Sequence, residues 1–446
     1  MKRISAKILS VLLALTTILS VSVCGAGAIS YSNDVDTKSK AILLVSMDTG
    51  QTVLEQNADE KMYPASTTKI MSYIIAYENI NDIMNARIEI KQSVIDLLLN
   101  TGSSMAYLSD HIGQKVSGKD LLYSMMVPSG NDAALVLADY VGNGDIQVFV
   151  DKMNAKAAEL GCKNTHFANP DGLHDPNHYT TARDLKLITD YALDLPYFKE
   201  ITNTVRYTCE GDDTPLVTTN GLLDGNTKYY YVYAQGIKTG TTDEAGRCLV
   251  TTASADGQTY MLILLGAPYQ EGVQEEYYTF IDAKALFQWC LVDLELATVY
   301  TTETPVSEVK VENAGKKNVT LVPEHNVTAV LPVDRKPENI EYEVNAPDTL
   351  QAPVKSDEVV GTVTVYYKDD KTGRQELATV NLLPAESIDS SVLQTVSDTL
   401  GKILKSYWFL FVIGIIVLVV IIYIIAAKIH RYRKKKKREV KRYRNF

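Results

Sequence analysis

An uncharged stretch near the C-terminus constrains what this chain can fold into more than any other feature. Residues 408–427 carry no charged side chain and are mostly Ile, Val and Leu. At about 1.5 Å of rise per residue, a helix of this length spans the hydrocarbon core of a bilayer, which is about 30 Å thick. A buried helix of a soluble domain seldom has such an uninterrupted apolar run. The sequence therefore predicts one transmembrane helix over residues 407–427.

Charged residues at the two ends of the chain predict its orientation. Residues 428–446 form a basic tail with eleven Lys and Arg side chains against one acid, and basic clusters beside a membrane helix stay in the cytoplasm. Residues 1–28 combine basic residues, an apolar run and Ala26-Gly27-Ala28, the pattern of a secretory signal peptide cleaved after Ala28. Lipid attachment at Cys24 fits less well, because Val23 before it is not small. We expect a single-pass cell-membrane protein with an extracytoplasmic body and a cytoplasmic C-terminus.

The net charge of the body excludes one class of partner. The whole chain carries −10, its first 28 residues +3 and its last 19 residues +10, so residues 29–427 carry −23. Nucleic-acid binding requires basic residues on the folded surface itself, where they meet phosphates. We therefore expect no nucleic-acid partner.

The cysteines and histidines of the body do not predict a metal site. Four cysteines remain after the signal peptide: Cys162, Cys209, Cys248 and Cys290. Their spacing matches no zinc or redox motif, and isolated half-buried thiols are favoured over disulfides. His166, His174 and His178 are close in sequence, but a zinc site needs converging ligands and usually a helical histidine pair. We expect surface or hydrogen-bonded loop histidines and no bound metal.

Hydrophobic patterns divide the body near residue 297. Residues 29–297 mix helices and strands, and the last strand, Tyr260–Leu265, is apolar throughout. Strands at both ends with helices between them predict an α+β domain, in which an antiparallel sheet packs against helices. Residues 298–385 have short β-branched runs between Gly, Pro and Asn, which predict a small β-rich domain. Residues 386–406 are polar and partly amphipathic, and we expect them to link this domain to the membrane helix.

Three short motifs occur in order in the first domain: Ser66-Thr67-Thr68-Lys69, Ser129-Gly130-Asn131 and Lys238-Thr239-Gly240. A serine hydroxyl is a weak nucleophile that needs a base. Because Ser66 is predicted to open a helix, Lys69 should lie one turn along on the same face, and the helix N-terminus should offer N–H groups to an oxyanion. The second motif is expected in a turn between two helices. The third is expected at the end of a strand, where Gly240 lets a substrate backbone approach.

The chain contains second copies of two of these motifs. Ser307-Glu308-Val309-Lys310 repeats the first, and Lys371-Thr372-Gly373 repeats the third. Both lie in the predicted β-rich domain, the latter in a polar hairpin turn, and Ser-x-Asn occurs once in the chain. Because no second complete set can be assembled, we predict that both copies are inert.

On these motifs, residues 38–292 resemble the low-molecular-weight penicillin-binding proteins, the D-alanyl-D-alanine carboxypeptidases of peptidase family S11. Further matching runs are Gly102-Ser103-Ser104-Met105, Asp171-Gly172-Leu173 and Thr181-Ala182-Arg183-Asp184. The resemblance implies the α+β fold of penicillin-binding and β-lactamase-like serine transpeptidases, followed by a β-rich domain and a membrane anchor. It also implies removal of the terminal D-alanine from peptidoglycan stem peptides, inhibition by β-lactam antibiotics, and no cofactor.

The resemblance implies catalytic roles for residues of the first two motifs. Ser66 would be the acylated nucleophile, Lys69 its base, and Ser129 a proton relay. The oxyanion hole would come from the backbone N–H groups of Ser66 and Thr241.

Substrate-binding roles follow from the same resemblance. Asn131 would bind the substrate amide, and Lys238-Thr239-Gly240 would position the substrate's carboxyl side. The family commonly places a carboxylate-binding arginine before its closing helix, whereas residues 268–282 contain no Lys or Arg. Without that arginine, we expect Thr239 and Thr241 to contribute more of the binding of the substrate's terminal carboxylate.

Two alternative functions remain compatible with the sequence. A D,D-endopeptidase that cleaves peptidoglycan crosslinks would use the same residues. A non-catalytic, membrane-tethered wall-binding protein would keep the fold without turnover, although the complete motif set counts against it. A β-lactamase fits less well, because no Glu-x-x-Leu-Asn segment is present to activate a deacylating water.

Overall fold

The computed structural model describes residues 31, 33–269, 276–369, 372–405 and 407–442, and the predicted signal peptide lies outside them. Contacts divide the described chain into two units. The first unit extends to Val299 and includes two later segments, Thr328–Tyr342 and Thr364–Thr379. The second unit comprises Tyr300–Val327, Glu343–Val363 and the described residues from Val380 onward.

A five-stranded antiparallel sheet organises the first unit. The strands up to residue 267 are β1 (Ala41–Ser46), β2 (Thr52–Gln56), β3 (Arg87–Glu89), β4 (Lys115–Ser117), β5 (Arg206–Tyr207), β6 (Leu216–Val217), β7 (Ala234–Thr242), β8 (Gly246–Ala255) and β9 (Gln258–Ala267). The sheet order is β2-β1-β9-β8-β7, and two short hairpins pair β3 with β4 and β5 with β6. The predicted apolar strand is confirmed as the middle strand, β9, in which Tyr260 through Ala267 are all buried. Strand β7 forms one edge of the sheet.

Helices cover the sheet and form the core of the first unit. They are α1 (Lys69–Asn79), α2 (Gln92–Ile95), α3 (Gly118–Met126), α4 (Asn131–Val141), α5 (Ile146–Glu159), α6 (Ala182–Leu193), α7 (Phe198–Thr202) and α8 (Tyr278–Asp293). Short 3₁₀ turns occupy Ala65–Thr68, Asp96–Leu98 and Leu108–His111. Helix α1 is buried from Lys69 to Ala76, because its side chains are mostly apolar on every face. It is therefore the central helix of the core.

Side-chain caps fix where helices begin. The Thr181 hydroxyl accepts the backbone N–H of Asp184 at 3.0 Å and so caps α6. Ser117 caps α3 in the same way through Asp120, and Asp145 caps α5 through Gln147.

The segment after α8 is rich in strands, as predicted. Its strands are β10 (Leu294–Tyr300), β11 (Ser307–Glu312), β12 (Asn318–Pro323), β13 (Val327–Pro332), β14 (Ile340–Asn345), β15 (Thr349–Gln351), β16 (Gly361–Asp369) and β17 (Gly373–Pro384), with a 3₁₀ turn at Pro337–Asn339. Within the second unit, β11 pairs antiparallel with β12 and parallel with β15, and β12 pairs antiparallel with the end of β17. Valines and leucines alternate with polar residues along these strands, so one face of each strand is buried.

Two helices end the described chain. Helix α9 (Val392–Lys405) lies in the segment that was expected to be a linker. Helix α10 (Tyr407–Arg442) contains the predicted membrane span. Its Tyr407–Lys436 portion is the one helix among the described residues that is long and apolar enough to cross a membrane.

The four cysteines of the body are free thiols, as predicted. Cys162 and Cys209 are half-buried, but Cys248 and Cys290 are fully buried. The expectation of half-buried thiols was wrong for that second pair, because Cys248 faces the core from β8 and Cys290 from α8. Burial raises the pKa of both Cys162 and Cys248 to about 12.

Candidate active site

Ser66 and Lys69 meet at the start of the central helix. Ser66 lies in the 3₁₀ turn Ala65–Thr68, and Lys69 is the first residue of α1. A 3₁₀ turn has about three residues per turn, so side chains at i and i+3 lie one above the other. Lys69 Nζ is 2.8 Å from Ser66 Oγ. The predicted one-turn spacing is confirmed, with a 3₁₀ turn in place of the first α-helical turn.

The surroundings of Lys69 favour its neutral form. The side chain is fully buried, and burial lowers its pKa from 10.5 to about 8, against the opposing charges of Asp171 and Asp132. Nζ also lies 2.6 Å from Asn131 Oδ1 and 2.6 Å from the Asp171 carbonyl oxygen. Both oxygens only accept, so they take the two hydrogens of a neutral amine. The amine lone pair is then left for the Ser66 hydroxyl.

The second motif joins α3 to α4. Asn131 opens α4, and its backbone N–H donates to the Ser104 carbonyl at 2.9 Å. Ser129 has a left-handed backbone with φ of 64°. In the described part of the chain, no hydrogen bond joins the Ser129 hydroxyl to Ser66 or Lys69. The buried carboxylate of Asp132 accepts the N–H groups of Ala106 and Leu108, which ties the segment around Ser104 to α4.

A turn at Asp171-Gly172 supplies a contact that the motif reasoning did not predict. Its Asp171 carbonyl accepts from Lys69, and Gly172 packs against Ala65. Gly172 has φ of +89°, and a Cβ there would lie 2.0 Å from the Ala65 carbonyl oxygen. The composition Asn169-Pro170-Asp171-Gly172 predicts a turn, but nothing in it indicates which residues that turn will touch.

Strand β7 brings the third motif to the same place. A Cβ on Gly240 would lie 3.0 Å from the Ser66 backbone nitrogen, so the absence of a side chain permits this close approach. Lys238 is buried, and burial followed by the charge of Lys69 holds its pKa far below its usual range. The Thr239 hydroxyl lies 2.5 Å from that of Thr219.

The expected position of the third motif in its strand was wrong. Lys238-Thr239-Gly240 lies inside β7, which continues to Thr242. Pairing with β8 continues as far as Thr242 opposite Gly246, so the strand runs two residues beyond the end of the motif at Gly240. Because β7 is an edge strand, its outer side can pair with an extended substrate backbone.

An open cleft of about 290 Å³ gives access to these residues. It is lined by Ser66, Asn131 and Thr241 together with Ser104, Leu173 and Tyr269. The fold therefore brings five of the predicted site residues together at this cleft: Ser66, Lys69, Asn131, Gly240 and Thr241. Among the described contacts, neither Ser129 nor Thr239 has a direct hydrogen bond to Ser66 or Lys69.

The three histidines near the cleft have separate partners. His178 is buried between the Thr68 hydroxyl, 2.7 Å from its Nε2, and the Ala168 N–H, which donates to its Nδ1. Burial lowers the pKa of His178 to about 4. His166 contacts the Asn177 carbonyl, and His174 lies 3.8 Å from Glu244. Each histidine thus has a local contact of its own.

The second copy of the Ser-x-x-Lys motif lies in an extended strand. Ser307 and Lys310 are both in β11, where side chains three residues apart point to opposite faces of the sheet. Lys310 is also exposed, whereas Lys69 is fully buried. Of the second Lys-Thr-Gly copy, Lys371 lies outside the described residues.

Family models and curated relatives match most of this chain. A family model for D-alanyl-D-alanine carboxypeptidase, peptidase family S11, matches residues 28–269, and a model for the C-terminal domain of penicillin-binding protein 5 matches residues 294–390. The D-alanyl-D-alanine carboxypeptidase DacA of Haemophilus influenzae is 31% identical over 348 residues, 76% of this chain and 82% of the relative. DacF of Bacillus subtilis is 28% identical over 343 residues, 76% of this chain and 84% of the relative.

Solved structures have the same fold. DacD of Francisella tularensis superposes with a TM-score of 0.64 at 26% identity, over 84% of this chain and 100% of that one. Penicillin-binding protein 5 of Haemophilus influenzae gives a TM-score of 0.62 at 26% identity, over 81% of this chain and 100% of that one. The expected fold is therefore confirmed, and the first family model alone covers more than half of the chain. The chain belongs to the D-alanyl-D-alanine carboxypeptidases of peptidase family S11.

Proposed function

We propose that this chain is a serine carboxypeptidase that removes the terminal D-alanine from peptidoglycan stem peptides through an ester on Ser66. The observation that carries the proposal is the pair of Ser66 Oγ and a buried Lys69 Nζ at 2.8 Å, with the pKa of the lysine lowered to about 8. A lysine with that pKa is partly neutral near pH 7 and can take a hydroxyl proton.

In the proposed acylation, Lys69 acts as the base and Ser129 as a proton relay. The neutral amine accepts the Ser66 proton while Oγ bonds to the carbonyl carbon of the penultimate D-alanine. The resulting oxyanion accepts hydrogen bonds from the backbone N–H groups of Ser66 and Thr241. The bond to the terminal D-alanine then breaks, and its nitrogen receives the proton from Lys69 through the Ser129 hydroxyl.

Deacylation reverses these proton transfers. A water molecule loses a proton to Lys69 and attacks the ester carbonyl, and Ser66 Oγ regains a proton as the ester bond breaks. No cofactor takes part in either half of the proposed reaction.

Substrate positioning is assigned to the cleft and to β7. The Asn131 side-chain oxygen is engaged by Lys69, so its NH₂ group is left to donate to the substrate amide carbonyl. The edge of β7 binds the extended peptide, and Lys238, Thr239 and Thr241 face its carboxyl side, with Gly240 allowing close approach. β-Lactam antibiotics acylate the same serine.

Release of D-alanine by the full-length protein in detergent tests this function. We expect free D-alanine from a stem pentapeptide, unaffected by a chelator and blocked by penicillin. A fluorescent penicillin should label the wild-type protein and Ser307→Ala, but not Ser66→Ala. Cleavage of crosslinked dimers without D-alanine release would favour the endopeptidase, and penicillin binding without either reaction would favour the non-catalytic wall-binding protein.

The domain organisation and the membrane topology are part of the same proposal. Residues 1–28 direct export and are removed, residues 29–297 carry catalysis, and residues 298–385 form the β-rich domain. Residues 386–406, which include α9, connect to the spanning segment 407–427. The catalytic domain then lies on the side of the membrane that holds peptidoglycan, and the basic tail 428–446 stays in the cytoplasm.

A further inference from the structure

Arg247 is a buried cation without an anionic partner among the described residues. It is the second residue of β8 and is only 6% exposed, yet its Nε and Nη1 atoms have no hydrogen-bond partner within the described part of the chain. Buried polar groups in proteins are nearly always paired, and a guanidinium carries five N–H donors. The described contacts of its guanidinium are two aromatic rings, Tyr277 at 3.4 Å and Tyr269 at 5.1 Å from their centroids.

The register of the sheet places Arg247 beside the third motif. Arg247 is directly opposite Thr241 in the pairing of β7 with β8, so both side chains project from the same face. Thr239, two residues earlier on β7, shares that face. Diagonal neighbours of this kind have Cα atoms roughly 7–8 Å apart, which a long side chain can bridge.

Tyr269 connects Arg247 to the catalytic cleft. Its ring centroid lies 5.1 Å from the guanidinium carbon, and the same residue lines the cleft together with Ser66 and Thr241. Two aromatic rings beside the guanidinium restrict its movement, and a guanidinium can recognise a carboxylate through two parallel hydrogen bonds.

We propose that Arg247 binds the terminal carboxylate of the substrate, together with Thr239 and Thr241. The inference rests on the proposed carboxypeptidase function. It also accounts for the absence of Lys and Arg from residues 268–282, because the cation comes from β8 instead. The oxygens of the bound carboxylate accept hydrogen bonds from the guanidinium N–H groups of Arg247.

A comparison of ligands with and without a free carboxylate tests this role. The full-length protein in detergent is acylated with benzylpenicillin and with its methyl ester, and both second-order rate constants are measured. We expect Arg247→Gln to slow the reaction of the free acid by about 10- to 100-fold and to leave the ester rate nearly unchanged. Arg247→Lys should recover part of the free-acid rate.

A surface arginine provides the matched control. Arg87 pairs with Glu210 at an exposed site, so Arg87→Gln should leave the ratio of acid to ester rates at its wild-type value. If Arg247→Gln slows the acid and the ester equally and also lowers the melting temperature, Arg247 has only a structural role. That result would overturn the proposal, but it would not contradict acylation of Ser66. Equal rates for acid and ester in the wild-type protein would overturn it without any variant. Failure of the wild-type protein to react with either ligand would refute the proposed function itself.

Discussion

Burial gives Lys69, the proposed base, a pKa at which its neutral form is accessible. In water a lysine is almost entirely protonated at neutral pH, because its pKa is about 10.4. In this protein the core around α1 removes the ammonium from water, while two carbonyl-type oxygens accept the hydrogens of the neutral amine. The neutral form is thus favoured by desolvation, and its lone pair faces the nucleophile.

The pH dependence of acylation follows from the lowered pKa of Lys69, about 8. Only the neutral amine can accept the Ser66 proton, so the second-order rate of acylation should rise by about tenfold per pH unit below that pKa and level off above it. Stopped-flow measurements with a penicillin between pH 6 and 9.5 would show this curve.

A charged replacement serves as the control for that curve. Lys69→Arg keeps a cation that cannot lose its proton in this range, so acylation should be lost at every pH. A wild-type rate that stays flat across pH 6 to 9.5 would contradict the assignment of Lys69 as base.

At the scale of elements, the position of the proposed nucleophile, Ser66, depends on a contact between two turns. The 3₁₀ turn that carries Ser66 packs against the Asp171-Gly172 turn, which lies more than 100 residues later in the chain. Gly172 is needed there for two reasons: its left-handed backbone, and the lack of space beside Ala65. The position of the nucleophile is therefore set by a tertiary contact as well as by helix α1.

Replacing Gly172 by alanine should disturb this contact. The new Cβ would lie 2.0 Å from the Ala65 carbonyl oxygen, so the turn next to Ser66 must shift. Displacement of a reacting group by about 1 Å can cost on the order of 10²-fold in rate, and we expect a loss of that size in acylation. Rates with a fluorescent penicillin and a thermal melt of each variant provide the measurement.

Gly161→Ala is the matched control for backbone strain. Gly161 has φ of +83°, close to the +89° of Gly172, but nothing lies within 4 Å of a Cβ there. Its variant should lose about 1 kcal/mol of stability and keep its acylation rate. The same rate in both variants would show that the contact with Ala65 does not position Ser66.

For the whole molecule, the apolar helix and the charge around it predict how the enzyme is attached. A continuous helix from Tyr407 to Arg442 leads from an apolar span into the basic tail. Moving many basic residues through a bilayer is costly, so the tail should remain in the cytoplasm.

Protease protection would test this topology. A protease added to intact, wall-stripped cells should digest the catalytic domain and spare a tag placed after Phe446. In permeabilised cells the same tag should be digested. Removal of the tag from outside intact cells would reverse the assigned orientation.

Local patterns in the sequence were enough to predict much of this protein. The membrane helix, the apolar strand Tyr260–Leu265 and the β-rich character of the segment after α8 follow from short-range physics, because hydrophobic period and turn residues act over a few positions. The pairing of Ser66 with Lys69 is equally local, since it needs a single turn. A resemblance in three motifs was enough to indicate the family.

Only the tertiary structure shows how the residues of the three motifs come together in one site. The Asp171 carbonyl on Lys69, the contact of Gly172 with Ala65 and the position of Arg247 opposite Thr241 all join segments that are distant in sequence or belong to different elements. The same packing removes Lys69 from water and so lowers its pKa. These features depend on which surfaces the fold buries against each other, and a local pattern carries no information about that choice.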